Sequence, residues 1–99
     1  MEKKLNKIEG LISISRKAGF AIIGQDNLKG YDKKLYLLLV DVTAGKSLKR
    51  EINFLAQKTN AQLFELENLG DLIGIENCKV VGLKNKAISE NIIECLKGE

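Results

Sequence analysis

The sequence contains no histidine. The commonest general base, and the usual partner of a nucleophilic serine or cysteine, is therefore missing, which argues against a hydrolase while leaving Asp, Glu or Lys chemistry open. Cysteine is scarce as well. Cys78 and Cys95 are the only two, neither lies near a second cysteine, and no zinc-ligand spacing arises. They read as free, partly buried thiols, and neither a metal nor a cofactor is expected. Long hydrophobic runs are also missing. The longest, Leu35 to Val40 and Ala21 to Ile23, fall far short of the ~20 residues of a membrane span. The charged start Met1-Glu2-Lys3-Lys4 has no apolar signal core behind it, so a soluble cytoplasmic protein that engages no membrane is expected. There is no P-loop and no Gly-x-Gly-x-x-Gly, and Asp41 and Glu76 read as loop carboxylates. No motif requires an enzyme.

What is present suffices for one core: 99 residues, of which 44% are hydrophobic, fit a single domain without metal or disulfide support. The net charge of +3 suits an RNA partner and is equally ordinary for a small cytosolic protein, so only clustering of the cations could make it informative.

Apolar residues at Leu5, Ile8, Leu11, Ile12 and Ile14 predict a core-facing first helix over Lys3 to Ala18. Gly10 inside it reads as a close-packing point. Arg16 and Lys17 suit the negative end of its dipole. Gly19 can end this helix in a left-handed cap, and Phe20 to Ile23 reads as a short strand. Gly24 then leads into a short helix over Gln25 to Lys29. Free N–H groups at such a turn can accept a phosphate or a base edge, and a plain structural turn explains it equally.

The continuous run Leu35 to Val40 suits a central strand buried on both faces. Gly45 and Ser47 precede a third helix through about Thr59, with Leu48, Ile52, Leu55 and Ala56 inward and Phe54 at the border of that stripe. Gln62 to Leu66 alternates as a strand does. Asn68 can cap a short helix, Leu69 to Ile73, closed by Gly74. Lys79 to Leu83 reads as the fourth strand, and Asn85 or Ser89 can open a last helix carrying Ile88, Ile92, Ile93 and Leu96. The order αβαβαβαβα predicts an α/β fold with a sheet between helices.

Three stretches, Leu11 to Gly24 (Leu-Ile-Ser-Ile-Ser-Arg-Lys-Ala-Gly-Phe-Ala-Ile-Ile-Gly), Leu37 to Thr43 (Leu-Leu-Leu-Val-Asp-Val-Thr), and Leu69 to Gly74 followed by Val80 and Val81, stand in the order and at the separations of a known family. The chain resembles the kink-turn-binding ribosomal proteins, the large-subunit seven-A-e and thirty-e group, in particular its small bacterial members. The resemblance implies a three-layer α-β-α sandwich with a four-stranded mixed sheet. It also implies RNA binding without catalysis, with ribosomal or other structured RNA as partner. In that family a Gly-Thr-Asn-Glu-x-x-Lys pattern after the first strand and the loop before the fourth strand touch the RNA, the Asn and Glu reading sheared G·A pairs and the Lys holding the backbone.

Position by position, Gly24 matches the glycine, Gln25 stands for Thr, Asp26 for Asn, Asn27 for Glu and Gly30 for Lys. Asp26 lacks the amide donor, Asn27 lacks the charge but can still hydrogen-bond a base edge, and Gly30 removes the cation, which Lys29 could replace only with a different local backbone. Val40 stands where many relatives carry an acidic residue. In the second loop, Ile75, next to Glu76, could stack under a base or sit at the edge of the core. Lys46, Lys49 and Arg50 open the third helix, the unfavourable end for cations, so a partner phosphate or a solvated face accounts for them. With Arg16, Lys17, Lys29, Lys33 and Lys34 they could form one basic rim. The competing reading is a protein-binding or regulatory module that kept the fold and lost kink-turn recognition, which the residues at 26, 27 and 30 favour.

Overall fold

The apolar run after Lys34 has no polar face to offer water, and Leu37–Asp41 is buried along its whole length. The computed structural model describes residues 2–98. In chain order they form α1 (Glu2–Ala18), β1 (Ala21–Ile23), α2 (Gln25–Leu28), β2 (Leu37–Asp41), α3 (Lys46–Thr59), β3 (Gln62–Leu66), α4 (Leu69–Ile73), β4 (Val80–Leu83) and α5 (Lys86–Gly98). The strands make one four-stranded mixed sheet in the order β1-β4-β2-β3. β4 pairs antiparallel with both β1 and β2, and β2 pairs parallel with β3. The carboxyl ends of β1, β2 and β3 and the amino end of β4 therefore share one edge of the sheet, the edge where open α/β sheets carry their sites.

Alternation along β2 divides the interior. Leu37 and Leu39 join Ile8 and Ile12 of α1, Leu69 and Ile73 of α4, and Ile92 and Ile93 of α5 in one cluster. Leu38 and Val40 join Leu28 of α2 and Leu48, Ile52, Leu55 and Ala56 of α3 in the other. This is the three-layer α-β-α sandwich that the order of elements predicts. Gly82 brings α2 close, because a Cβ there would lie 2.8 Å from the buried Leu28 side chain.

Several local expectations change. Ile14 is 55% exposed and Ser15 takes the inward place, its hydroxyl donating to the Leu11 carbonyl at 3.0 Å. The reason is angular: Ile8, Ile12 and Ser15 share a helical arc that Ile14, ~200° from Ile12, does not. Gly10 has open space where a Cβ would stand and packs against nothing. The side chain of Leu5 lies outside the described residues. Phe54 is 68% exposed, well clear of the core. The central strand begins at Leu37, although Leu35 is also fully buried. Asn68 adopts a left-handed conformation and makes no side-chain cap. Asn85, and not Ser89, opens α5, its Oδ1 accepting the Ile88 N–H at 2.9 Å.

Candidate nucleic-acid interface

Four connections meet at the shared sheet edge: the turn into α2, the β2–α3 loop, the β3–α4 loop and the α4–β4 loop. Asp41, at the end of β2, ties the last three together. One carboxylate oxygen accepts the Thr43 N–H at 2.8 Å and the Thr43 hydroxyl at 2.6 Å. The other accepts the Leu69 N–H at 2.9 Å, capping α4 in place of Asn68. The Thr43 hydroxyl and N–H, then the Leu69 N–H and the nearby Lys79 ammonium, hold the Asp41 carboxyl at about 2, outweighing the desolvation that pushes it up. Lys79 Nζ donates to Thr43 Oγ1 at 2.8 Å, closing the loop over β4. A lone Asp between apolar residues gave no sequence signal for this role, since its donors come from residues two and 28 positions away.

Gly24 turns the chain at φ 90°, ψ 156°, and its N–H donates to the Val80 carbonyl at 3.0 Å. The phosphate-cradle reading of this turn is not supported, because α2 has only four residues and Asp26 in its first turn places a carboxylate where an anion would sit. Asn27 Nδ2 donates to the Ile23 carbonyl at 2.8 Å. A carbonyl can only accept, so the amide orientation is fixed and Asn27 Oδ1 is the atom left for a partner. The side chains of Asp26 and Asn27 are exposed and together present acceptor oxygens to solvent. Gln25 Nε2 donates to Glu51 Oε1 of α3 at 3.2 Å, joining the two helices. The helix ends before Gly30, which has φ 76°, and Lys29 leaves in an extended conformation toward the cleft between α2 and α3.

The expected basic rim is divided. Lys46 and Arg50 are exposed at the start of α3, whereas Lys49 donates to the Val42 carbonyl at 2.9 Å and pairs with Glu65 at 3.5 Å. Arg16 donates to the Ile73 carbonyl at 2.9 Å and serves α4. Lys34 donates to the Thr59 carbonyl at 3.0 Å, at the far end of α3. Since α3 starts at the shared edge and spans the sheet, Lys33 and Lys34 belong to the opposite edge.

No protein-family model matches the chain, and neither does any of the curated proteins. Among solved structures it is similar to a protein with unknown function from Bacillus halodurans C. The TM-score is 0.75 over 91% of this chain and 96% of that one, at 18% identity. The two chains share a fold.

On the α4 side the loop before β4 is built for rigidity. Ile75 is half-buried and packs against the cluster under α1, α4 and α5. Its N–H donates to the Gly70 carbonyl at 3.0 Å and its carbonyl accepts the Cys78 N–H at 3.2 Å. Gly70 permits this closeness, as a Cβ there would stand 2.8 Å from the Ile75 carbonyl oxygen. Ile75 thus sits at the core edge. Glu76 is exposed beside Asp71, Asn77 and Lys79 in a shallow hollow of about 210 Å³. A neighbouring groove collects Glu9, Glu65, Glu67 and Asp71. Among the described residues the edge is thus uneven, with Lys46 and Arg50 on α3 making no ion pair and carboxylates collecting around α4.

Proposed function

We propose that this chain is a non-catalytic RNA-binding protein of the kink-turn-binding ribosomal type, working in the cytoplasm on structured RNA such as ribosomal RNA. The observation that carries this reading is the exposed acceptor pair Asp26 and Asn27 on a turn fixed to the sheet edge, flanked by the unpaired cations at the start of α3. Acceptors of this kind suit the amino and imino donors of unstacked purines, and cations beside them suit the adjoining backbone. The RNA enters from the α2 and α3 side, because the carboxylates around α4 repel phosphate. No catalytic step is assigned, since Asp41 already accepts three donors and the site contains no histidine.

The second reading, a protein-interaction module, is favoured by the acidic groove of Glu9, Glu65, Glu67 and Asp71, which suits a basic protein segment. A titration against a kink-turn RNA and an unkinked duplex of equal length, at two salt concentrations, separates the readings. Selective binding to the kinked RNA, with a log–log salt slope of roughly −0.7 to −0.9 per phosphate neutralised, is expected. Equal or absent binding overturns the proposal and favours the module.

A further inference from the structure

One line of residues on α3 stays out of the core and runs from the cations beside the acceptor pair at the sheet edge to the far part of the helix. Lys46, Arg50, Phe54 and Lys58 recur every four residues along the helix, so they form a stripe that drifts by ~40° per step, with ~6 Å between neighbours and Arg50 and Lys58 each one turn from Phe54. All four are exposed, and Phe54 is 68% exposed. Helix physics alone would not choose this line. Lys46 and Arg50 repel each other at that spacing and oppose the dipole, and a solvated phenylalanine leaves apolar surface in water. Among the described residues none of these three cations pairs with a carboxylate, and the ion pair on α3, Lys49 with Glu65, involves none of them. Beside Phe54 a cleft of about 230 Å³ separates α3 from α2, lined by Leu28, Tyr31 and Leu55 together with Lys29 and Lys58. Glu51 also lines this cleft, and its Oε1 accepts the Gln25 amide.

We propose that this face of α3 holds single-stranded RNA, with a base stacked on Phe54 and the flanking phosphates held by Arg50 and Lys58, one turn to either side. The inference rests on the RNA reading above for the class of polymer, and it extends that reading along α3, beyond Arg50 to Phe54 and Lys58. An acidic peptide would satisfy the cations as well. A planar ring set between two cations at one-turn spacing instead matches a chain that alternates bases with phosphates, and stacking of this kind tolerates any base sequence. Lys29 and the half-buried Tyr31 across the cleft extend the same combination of charge and ring toward α2.

The test is a titration of labelled oligoadenylate and oligouridylate of about ten nucleotides, with polyglutamate of equal length as comparison. The full chain is used, with Phe54→Ala, Phe54→Leu, Phe54→Tyr, Arg50→Gln and Lys58→Gln. Both oligonucleotides are expected to bind. Phe54→Ala and Phe54→Leu each weaken binding by roughly five- to a hundredfold, while Phe54→Tyr stays within about twofold. Arg50→Gln and Lys58→Gln each remove roughly 0.7 from the log–log salt slope, whereas Phe54→Ala leaves it unchanged. Because Phe54 lies outside the core, its variants keep the wild-type urea midpoint. Wild-type affinity in Phe54→Leu overturns the proposal, as does polyglutamate binding as tightly as the oligonucleotides, which assigns the face to an acidic peptide. A kinked RNA that binds while the oligonucleotides do not also overturns it, yet leaves the sheet-edge reading intact. The reverse pattern upholds the α3 face and removes the sheet-edge site.

Discussion

Asp41 accepts two N–H groups and a hydroxyl with two oxygens, so an amide in its place would turn an NH₂ toward a donor. Asp41→Asn is expected to cost about 1–3 kcal/mol, the range for a lost charged hydrogen bond, measured by urea denaturation at neutral pH. The sign with pH follows from the lowered carboxyl. The unfolded chain binds a proton near 3.8 and the folded one only near 2, so this stabilisation is fully present above 3.8 and is lost as pH falls through about 2. In Asp41→Asn the fall in stability across that window should flatten. If the wild type and the variant lose stability in parallel, the carboxylate is not the source. Ser89 poses the opposite case: its hydroxyl is buried without a hydrogen-bond partner. Ser89→Ala is expected to be neutral or to gain about 1 kcal/mol, and a loss in the same denaturation assay would show that the hydroxyl is satisfied.

At the scale of an element, α2 decides how much of the family's RNA-reading pattern this chain can present. It has four residues and ends before Gly30, whose φ of 76° suits glycine. A lysine at 30 would be strained there and would not stand on the same helix face as Asp26 and Asn27. Asp26→Asn alone is therefore expected to raise affinity for a kink-turn RNA several-fold by restoring a donor and removing a negative charge, with Gly30→Lys adding nothing. Equal gains from both changes would mean that α2 is longer in solution. The α5 start offers a simpler check. Asn85→Ala removes the side-chain acceptor of the Ile88 N–H and should cost about 1 kcal/mol in thermal or urea unfolding. The loop before β4 depends on Gly70: Gly70→Ala would drive a Cβ into the Ile75 carbonyl at 2.8 Å. The expected result is a destabilised protein in which amide exchange of the 75–78 loop accelerates most.

Across the whole molecule, the sheet separates two cores and its carboxyl edge separates two signs of charge. Among the described residues Lys46, Arg50 and Lys58 on α3 make no ion pair, while Glu9, Glu65, Glu67 and Asp71 gather beside α4. No helix among the described residues is long and apolar enough to cross a membrane. Much of this architecture was legible in the chain itself. The order of elements, the buried central strand and the short second helix follow from local periodicity, from the unbroken apolar run ending at Val40 and from Gly24 and Gly30, since each signal lies within a few residues of its effect. The α-β-α layering followed in turn, because a strand apolar on both sides needs a layer on each face. Residues at 26, 27 and 30 could be compared with a family pattern from sequence alone. What only the tertiary structure decided is which polar groups are already engaged. Arg16, Lys34 and Lys49 look like free cations in the chain, yet each donates to a carbonyl brought near by another element or loop. Asp41 caps a helix that begins 28 residues later, and Phe54 stands in solvent beside a cleft whose other wall is α2. Periodicity reports which side of an element faces the core, but a hydrogen bond or an ion pair depends on distances between elements, and those are set only when the sheet assembles.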